Sequence, residues 1–380
     1  MEPLPRTLES GPTFEQVVDA YISCRRHKRN SFDQLAFEID LEANLYGLWQ
    51  DLCSGEYQIG RSRAFVVTFP KCREIWASGF RDRVVHHLTY NLVSERFIRG
   101  FIYDSYACLP GRGTLFARDR VTEFARSVTH GWTRPGFYLK LDIANFFNSI
   151  DHGILLGLLH SKIAEPWLRT LVTLVVLHDP RPAAEFRSSR ALFDTVPPHK
   201  SFLKAEQGKG LPIGNLTSQF FANVYLDPFD QFVKHRLKAR RYGRYVDDFI
   251  VIVSCSKELR DMQVAMTSFL RASLRLTVHP TKVVSGRIAD GINFTGYIIK
   301  PGRCYLRRSS VANCQKRIRA WQAMPDPFGR ESLQHIAQSV NSTLGLLRHV
   351  DGYRQRQSIC RFANSLFMHS DIENHKWIVR

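Results

Sequence analysis

Several things are scarce or missing in this sequence, and each narrows what the chain can be. No apolar run is long enough to span a membrane. The start, Met1-Glu2-Pro3-Leu4-Pro5-Arg6, has no signal-peptide pattern. The expectation is a cytoplasmic protein with no membrane partner. The eight cysteines (Cys24, Cys53, Cys72, Cys108, Cys255, Cys304, Cys314, Cys360) are scattered, and none forms Cys-x-x-Cys. That argues against a zinc site and leaves reduced thiols as the default. There is no internal repeat and no low-complexity tract. Acid is in short supply: 35 Asp and Glu stand against 53 Lys and Arg, a net charge of +18. With 12% aromatic residues, such a basic surface suits a polyanion, most often nucleic acid, although charge alone fits any soluble basic protein. The 44% hydrophobic content of the 380 residues supports a real core, in one large domain or two to three modules.

Residues 13–55 read as mostly helical. Within them Cys24-Arg25-Arg26-His27-Lys28-Arg29 is a basic cluster, either an RNA contact or a solvated loop. Phe65-Val66-Val67-Thr68-Phe69 reads as a strand with Glu74-Ile75-Trp76 as its hairpin partner, followed by a helix through Arg83-Val84-Val85-His86-His87-Leu88. Gly111-Arg112-Gly113-Thr114 opens the next helix. Residues 137–143 are an apolar strand, and helix runs from about Ile154 to His178. Residues 179–209 are rich in proline and basic residues and lack periodicity. So long a stretch without structure is either functional or mobile. Asn215 is a capable N-cap, and Leu216, Phe220 and Val224 recur at helical spacing. Tyr242–Val253 reads as a hairpin joined at Val246-Asp247, 257–275 as an amphipathic helix, and Phe294–Ile299 as a strand followed by a turn at Lys300-Pro301-Gly302-Arg303. The remainder is helical and basic, broken once at Pro325-Asp326-Pro327-Phe328-Gly329.

Two segments carry chemistry. They are Leu139-Lys140-Leu141-Asp142-Ile143-Ala144-Asn145-Phe146-Phe147 and Arg244-Tyr245-Val246-Asp247-Asp248-Phe249-Ile250-Val251-Ile252-Val253. Carboxylates in such apolar surroundings are costly to bury unless something positive neutralises them. Hard oxygen ligands at strand ends suit Mg2+, and paired magnesium ions serve in-line displacement at phosphorus. The alternative is a set of salt-bridged surface aspartates.

Strand-borne Asp142, the box Leu211-Pro212-Ile213-Gly214-Asn215-Leu216-Thr217-Ser218-Gln219 and a hairpin with Asp247-Asp248 follow one another in the order of right-hand polymerases. In this the chain resembles the bacterial reverse transcriptases, from about residue 40 to about 355. Any one box is a weak signal, and several in order are a strong one. The resemblance implies an α+β, right-hand polymerase fold, with fingers, a palm built on an antiparallel sheet, and a helical thumb. The corresponding domains are 1–130 (N-terminal helical region and fingers), 131–300 (palm, with 179–209 as an insertion) and 301–380 (thumb).

The same resemblance implies roles. Asp142 and Asp247 would bind two Mg2+ ions, with Mn2+ as substitute. The Ile143 carbonyl would add an oxygen ligand, and Asp248 would complete the acidic set. Phe147 would be the steric gate against a 2′-hydroxyl, the alternative being a core aromatic beside Phe146. Lys71 and Arg73, alternate residues of the hairpin, would reach one triphosphate, unless they are merely exposed charges. Arg81 and Arg83 either serve phosphates or pair with Asp82 or Glu74. Gly214 would let the backbone approach the nucleotide. Gln219 would bond a template base or sugar, or else act locally. Lys282 would protonate the pyrophosphate leaving group, or else be solvated. Phe294-Thr295-Gly296-Tyr297 resembles a primer-grip strand. Arg303, Arg307, Arg308, Lys316, Arg317 and Arg319 would track backbone phosphates, or form a solvated helix face.

Ile-Gly-x-x-x-Ser-Gln in the second box is the pattern of the diversity-generating retroelement enzymes and close bacterial relatives. The long 179–209 segment departs from them and fits domesticated enzymes of anti-phage defence equally well. Nothing after residue 300 resembles a maturase domain, a His-Asn-His nuclease or RNase H, and no Asn-Ala-x-x-His box of the retron type occurs. The implied activity is RNA-directed DNA synthesis from dNTPs on a dedicated non-coding RNA, giving a DNA product. A small accessory protein or second polymerase is a further expected partner. The competing readings are a non-catalytic RNA-binding scaffold on the same fold and a template-independent DNA polymerase.

Overall fold

The computed structural model describes residues 11–26, 31–69, 71–325, 327, 329–364, 370–371 and 376–377. Part of the basic cluster at 24–29 therefore lies outside the described residues, as does part of the break at 325–329. In chain order the elements are α1 (Phe14–Arg25), α2 (Phe32–Ile39), α3 (Leu41–Ser54), β1 (Arg63–Val67), β2 (Arg73–Ala77), α4 (Phe80–Ile98), α5 (Thr114–Val128), β3 (Phe137–Asp142), α6 (Phe146–Ser149), α7 (His152–His160), α8 (Pro166–Leu177), β4 (Glu185–Phe186), α9 (Arg190–Asp194) and α10 (Leu216–Gln231). They continue with β5 (Tyr242–Tyr245), β6 (Asp248–Val253), α11 (Ser256–Leu274), β7 (Val284–Arg287), β8 (Ile292–Phe294), β9 (Tyr297–Lys300), β10 (Arg303–Leu306), α12 (Arg308–Gln322), α13 (Arg330–Leu347), α14 (Tyr353–Asn364), β11 (Ser370–Asp371) and β12 (Lys376–Trp377).

The chain forms two compact units, each assembled from separated segments. One comprises Met1–Tyr103, Asp142–Ala239 and Val264–Lys282; the other comprises Asp104–Leu141, Arg240–Gln263 and Val283–Arg380. Sequence neighbours thus part company at Asp142, the last residue of β3.

In the first unit, α4 and α10 are the central helices. Val84, Val85 and Leu88 of α4 and Phe220, Phe221 and Val224 of α10 are buried, and Phe97 and Phe101 meet Phe220 edge-on or tilted at ring distances of 6.0 and 6.5 Å. The β1–β2 hairpin pairs antiparallel, and β4 adds a third strand parallel to β1. β4 comes from the 179–209 segment, which is folded rather than structureless. Its α9 and two short 3-10 turns bring Phe193, Val196 and Phe202 into one apolar cluster with Ala64, Val66 and Trp76 of the hairpin. Residues without periodicity acquire structure here because each apolar side chain is taken up singly by the hairpin face.

A buried carboxylate locks this segment in place. Glu74 of β2 accepts hydrogen bonds from the Ser201 hydroxyl, from the backbone N–H groups of Phe202 (2.8 Å) and Leu203 (3.3 Å), and from the Trp76 indole (3.2 Å). Burying a carboxylate is tolerable only with such a donor set. Pairing of Arg81 with Glu74, one of the alternatives the sequence left open, is not what holds it; Arg81 bonds Asp51.

In the second unit the sheet order is β5-β6-β3-β7, with β5–β6 and β3–β7 antiparallel. α5 packs Ala117, Val121, Phe124 and Val128 into a cluster with Tyr138, Ile250, Ile252 and Phe294. The segment expected as one strand at 294–299 is a hairpin instead: β8 and β9 pair across Thr295-Gly296, both in the left-handed region (φ 46° and 92°). β10 extends that sheet. The C-terminal helices break twice among the described residues, at 323–329 and at 348–352, rather than once. Their core is Val311, Cys314, Ile318, Trp321, Val340, Leu344 and Ile359. The helix expected over 154–178 is two, because Pro166 occupies the first turn of α8 and starts a new helix. No cysteine is disulfide-bonded. Among the described residues, no helix is long and apolar enough to cross a membrane.

Substituting Glu74→Ala strands the Ser201 hydroxyl and two amides. We expect a loss of about 2–4 kcal/mol in urea denaturation, with faster amide exchange confined to 201–203. Unchanged exchange there would remove Glu74 as the anchor.

Candidate active site

Asp142 ends β3, and the chain turns at once into Asn145, held in the left-handed region (φ 51°), to begin α6. An apolar strand delivers the carboxylate and an asparagine tolerant of that conformation bends the chain away. Backbone bonds fix the place: the Asp142 carbonyl accepts from the His279 N–H (2.8 Å), and the Ala144 N–H donates to the Thr277 carbonyl (2.9 Å). Ile143 is buried and bridges to Val278. Lys282 reaches back from that same stretch and places its ammonium 2.9 Å from both oxygens of Asp142.

Asp247 lies in the two-residue turn between β5 and β6, and Asp248 is the first residue of β6. The hairpin read from sequence is present with its turn at Val246-Asp247. Lys140 of β3 sets its ammonium 3.4 Å from Asp248 and 5.6 Å from the Phe294 ring centre. Lys140 and Asp142 share one face of β3, since alternate residues do.

The second box is built around Gly214. Its φ of +138° suits glycine, and a Cβ there would sit 2.9 Å from the Trp76 carbonyl oxygen. The Trp76 N–H donates to the Ile213 carbonyl at 2.7 Å, so the box rests directly on β2. Asn215 holds the N-cap position of α10 but bonds elsewhere: its Oδ1 accepts from the Ser78 N–H (3.2 Å). The cap residue has been spent on tertiary structure. Phe147 is half-buried, meets Phe146 edge-on at 5.4 Å, and its carbonyl accepts from the Leu211 N–H (2.8 Å), which ties the first box to the second. Gln219 is on an exposed face of α10.

Arg73 is the exposed first residue of β2. Lys71 lies in the connection before it, so strand alternation does not apply to Lys71 and the expected shared face is corrected. Of the six basic residues toward the C-terminus, Arg303, Arg308, Lys316 and Arg319 are exposed. Arg307 instead bonds Asn293 and Arg317 bonds Ser339, both half-buried, so these two serve packing as well.

Sequence reasoning missed His86. It is buried on α4, with Nε2 3.0 Å from the Ser78 hydroxyl and Nδ1 2.8 Å from the Thr217 hydroxyl. It thereby joins β2's exit to the second box. Burial, with His178, His87 and Arg83 adding positive charge nearby, pushes its pKa down to about 3. The only sequence signal was its place in Val84-Val85-His86, an apolar helix face.

The donor chemistry fits a hard divalent ion: three carboxylates sit at strand ends, and two of them already hold an ammonium cation. Among the described residues, no group of three or more His, Cys, Asp or Glu side chains is drawn together as a ready cage.

These features define a class: a nucleotidyltransferase domain of the α+β, right-hand polymerase fold. Residues 71–299, more than half of the chain, match the reverse transcriptase (RNA-dependent DNA polymerase) family, and the chain belongs to it. Protein YkfC of Escherichia coli (strain K12) is 22% identical over 291 residues, covering 68% of this chain and 71% of YkfC. The uncharacterized 91 kDa protein in cob intron of Schizosaccharomyces pombe is 23% identical over 351 residues, covering 72% of this chain and 40% of that protein. Among solved structures, telomerase from Candida albicans with a telomeric RNA fragment aligns with a TM-score of 0.49 at 11% identity, over 86% of this chain and 60% of that one. Apo telomerase from Candida tropicalis aligns at 0.48 and 10%, over 81% and 62%.

His86 gives a pH test. Its folded pKa lies below the unfolded value of about 6.5, so the unfolded chain takes up the proton first and stability falls as pH drops from about 6.5 toward 3. The slope is at most about 1.4 kcal/mol per pH unit. The melting temperature of His86→Gln should therefore fall less between pH 7.5 and 5 than that of the wild type; equal falls would refute the buried neutral imidazole.

Proposed function

We propose that the chain copies an RNA template into DNA, with Asp142, Asp247 and Asp248 as its catalytic carboxylates. The observation that carries the reading is strand order: β6 and β3 are neighbours in one sheet, with Asp142 at the end of one and Asp247-Asp248 at the start of the other. Neighbouring strands lie about 4.8 Å apart, and the Lys140–Asp248 ion pair (3.4 Å) brings the start of β6 to the end of β3 that carries Asp142.

The three aspartates and the Ile143 carbonyl would hold two Mg2+ ions, or Mn2+ in their place. When bound, such ions stabilise the attacking and leaving oxygens of a displacement at phosphorus. Arg73 and Lys71 bind the triphosphate of the incoming dNTP. Gly214 allows close approach of backbone, Phe147 stacks beneath the sugar and rejects a 2′-hydroxyl, and Gln219 contacts the template. Lys282, released from Asp142, donates a proton to the departing pyrophosphate. Arg303, Arg307, Arg308, Lys316, Arg317 and Arg319 follow backbone phosphates, which bind by charge and A-form shape. We assign fingers to 1–130, palm to 131–300 and thumb to 301–380. The template we favour is a dedicated non-coding RNA, used in anti-phage defence or in diversity generation, with a small accessory protein or a second polymerase as partner. The Ile213-Gly214 start of the second box supports this branch of the family.

The protein purified with its co-purifying RNA, given dNTPs and Mg2+, should yield cDNA matching that RNA. Asp142→Ala, Asp247→Ala and Asp248→Ala should each cut the yield by about a thousandfold or more. Undiminished cDNA from the Asp247 and Asp248 variants would end the assignment. Product unrelated to the RNA would favour template-independent addition, and RNA retained with no product would favour the scaffold.

A further inference from the structure

The turn that carries Asp247 is built against local preference. Tyr245 pairs with Asp248, leaving Val246-Asp247 as a two-residue connection. Val246 adopts φ +57°, the left-handed region. Tight hairpins place glycine, asparagine or aspartate where φ is positive. A β-branched residue there is an outlier that persists only where its surroundings hold it.

Arg244 bonds this turn directly. Its side chain is fully buried, at 0% exposure, two residues before the turn. One guanidinium nitrogen donates to the Val246 carbonyl (3.1 Å) and another to the Ser105 hydroxyl (3.2 Å). Ser105 is itself held. The Arg244 N–H donates to the Asp104 carbonyl (2.9 Å), the Tyr106 N–H donates to the Arg244 carbonyl (2.8 Å), and Arg112 donates to the Ser105 carbonyl (2.7 Å). Residues 104–106 therefore run beside β5 as a parallel buttress. Gly243 permits the contact, since a Cβ there would lie 2.1 Å from the Tyr106 hydroxyl oxygen.

A peptide unit is planar, so fixing the Val246 carbonyl fixes the Asp247 N–H on the other side of the same plane. Arg244 thus fixes the peptide plane on which the Asp247 Cα sits, one of the two planes whose dihedrals orient its side chain. Burying a guanidinium is expensive, and a fixed fork of donors is what the turn gains from it.

We propose that Arg244 is a positioning residue for Asp247. It holds the strained Val246-Asp247 peptide and so presets the carboxylate for a divalent ion. This rests on the reading of Asp247 as a metal ligand.

The test uses full-length protein and measures Mn2+ binding by electron paramagnetic resonance, alongside primer extension titrated with Mg2+. Arg244→Lys keeps the charge and loses the fork. It should weaken Mn2+ binding and raise the Mg2+ midpoint by about tenfold, with the KM for dNTP at saturating Mg2+ little changed. Val246→Gly in the Arg244→Lys background should recover most of that loss, because glycine needs no support at positive φ. Unchanged metal midpoints in a folded Arg244→Lys protein would overturn the proposal, as would a double variant no better than the single. If Arg244→Lys does not fold, Ser105→Ala decides: it should shift the midpoint in the same direction by a few-fold, and no shift counts against the role. Asp247→Asn separates the two readings. If it binds Mn2+ and extends primer normally, the metal assignment fails; if it loses both while Arg244→Lys is unaffected, only the role of Arg244 fails.

Discussion

Negative charge at the ends of buried strands has to be met by positive charge, and this one requirement organises the site. Asp142 closes an apolar strand and is met by Lys282 with a two-oxygen contact. Asp248 opens another apolar strand and is met by Lys140. Both ammonium groups stand at the strand ends where the carboxylates lie. Each lysine thereby supplies the positive charge that its carboxylate calls for at the end of a buried strand.

A second theme is that polar side chains in and around the second box are tied to one another within the chain itself. Asn215 gives up its helix-capping bond to hold Ser78. His86 bonds the Ser78 and Thr217 hydroxyls. Trp76 carries the backbone of Ile213 and bars any side chain at Gly214. Glu74 then fastens the insertion behind the same hairpin. The hairpin that presents Arg73 is thus backed on one side by the second box and on the other by residues 185–203. Preorganisation of this kind reduces the ordering cost paid when a flexible, charged ligand binds.

Much of this was legible in the sequence, and the reasons differ from residue to residue. The Val246-Asp247 turn was visible because a hairpin announces itself by period and by a polar tip within four or five apolar neighbours. The α10 helix was visible because Leu216, Phe220 and Val224 keep helical spacing over about two turns. The split at Pro166 was readable from proline chemistry, but an apolar stretch on both sides masked it. The order of residues 179–209 was not readable because it comes from Glu74 and Trp76, more than a hundred positions away, and a segment without periodicity carries no local sign of such anchors. Arg244 looked like one more basic residue in a basic chain; only burial distinguishes it.

The sequence alone determined the chemistry on offer: three acids in apolar strands, a glycine where backbone must approach closely, an excess of positive charge, and the order of boxes that marks the family. These follow from residue types and short-range spacing, which local physics reads directly. The tertiary structure decided which cation meets which acid, which arginine is withdrawn from solvent to hold a turn, and whether thirty residues of insertion stand or wander. Those outcomes depend on contacts between residues far apart in the chain, and the free energy of a buried charge or an anchored loop is set by what surrounds it rather than by what adjoins it.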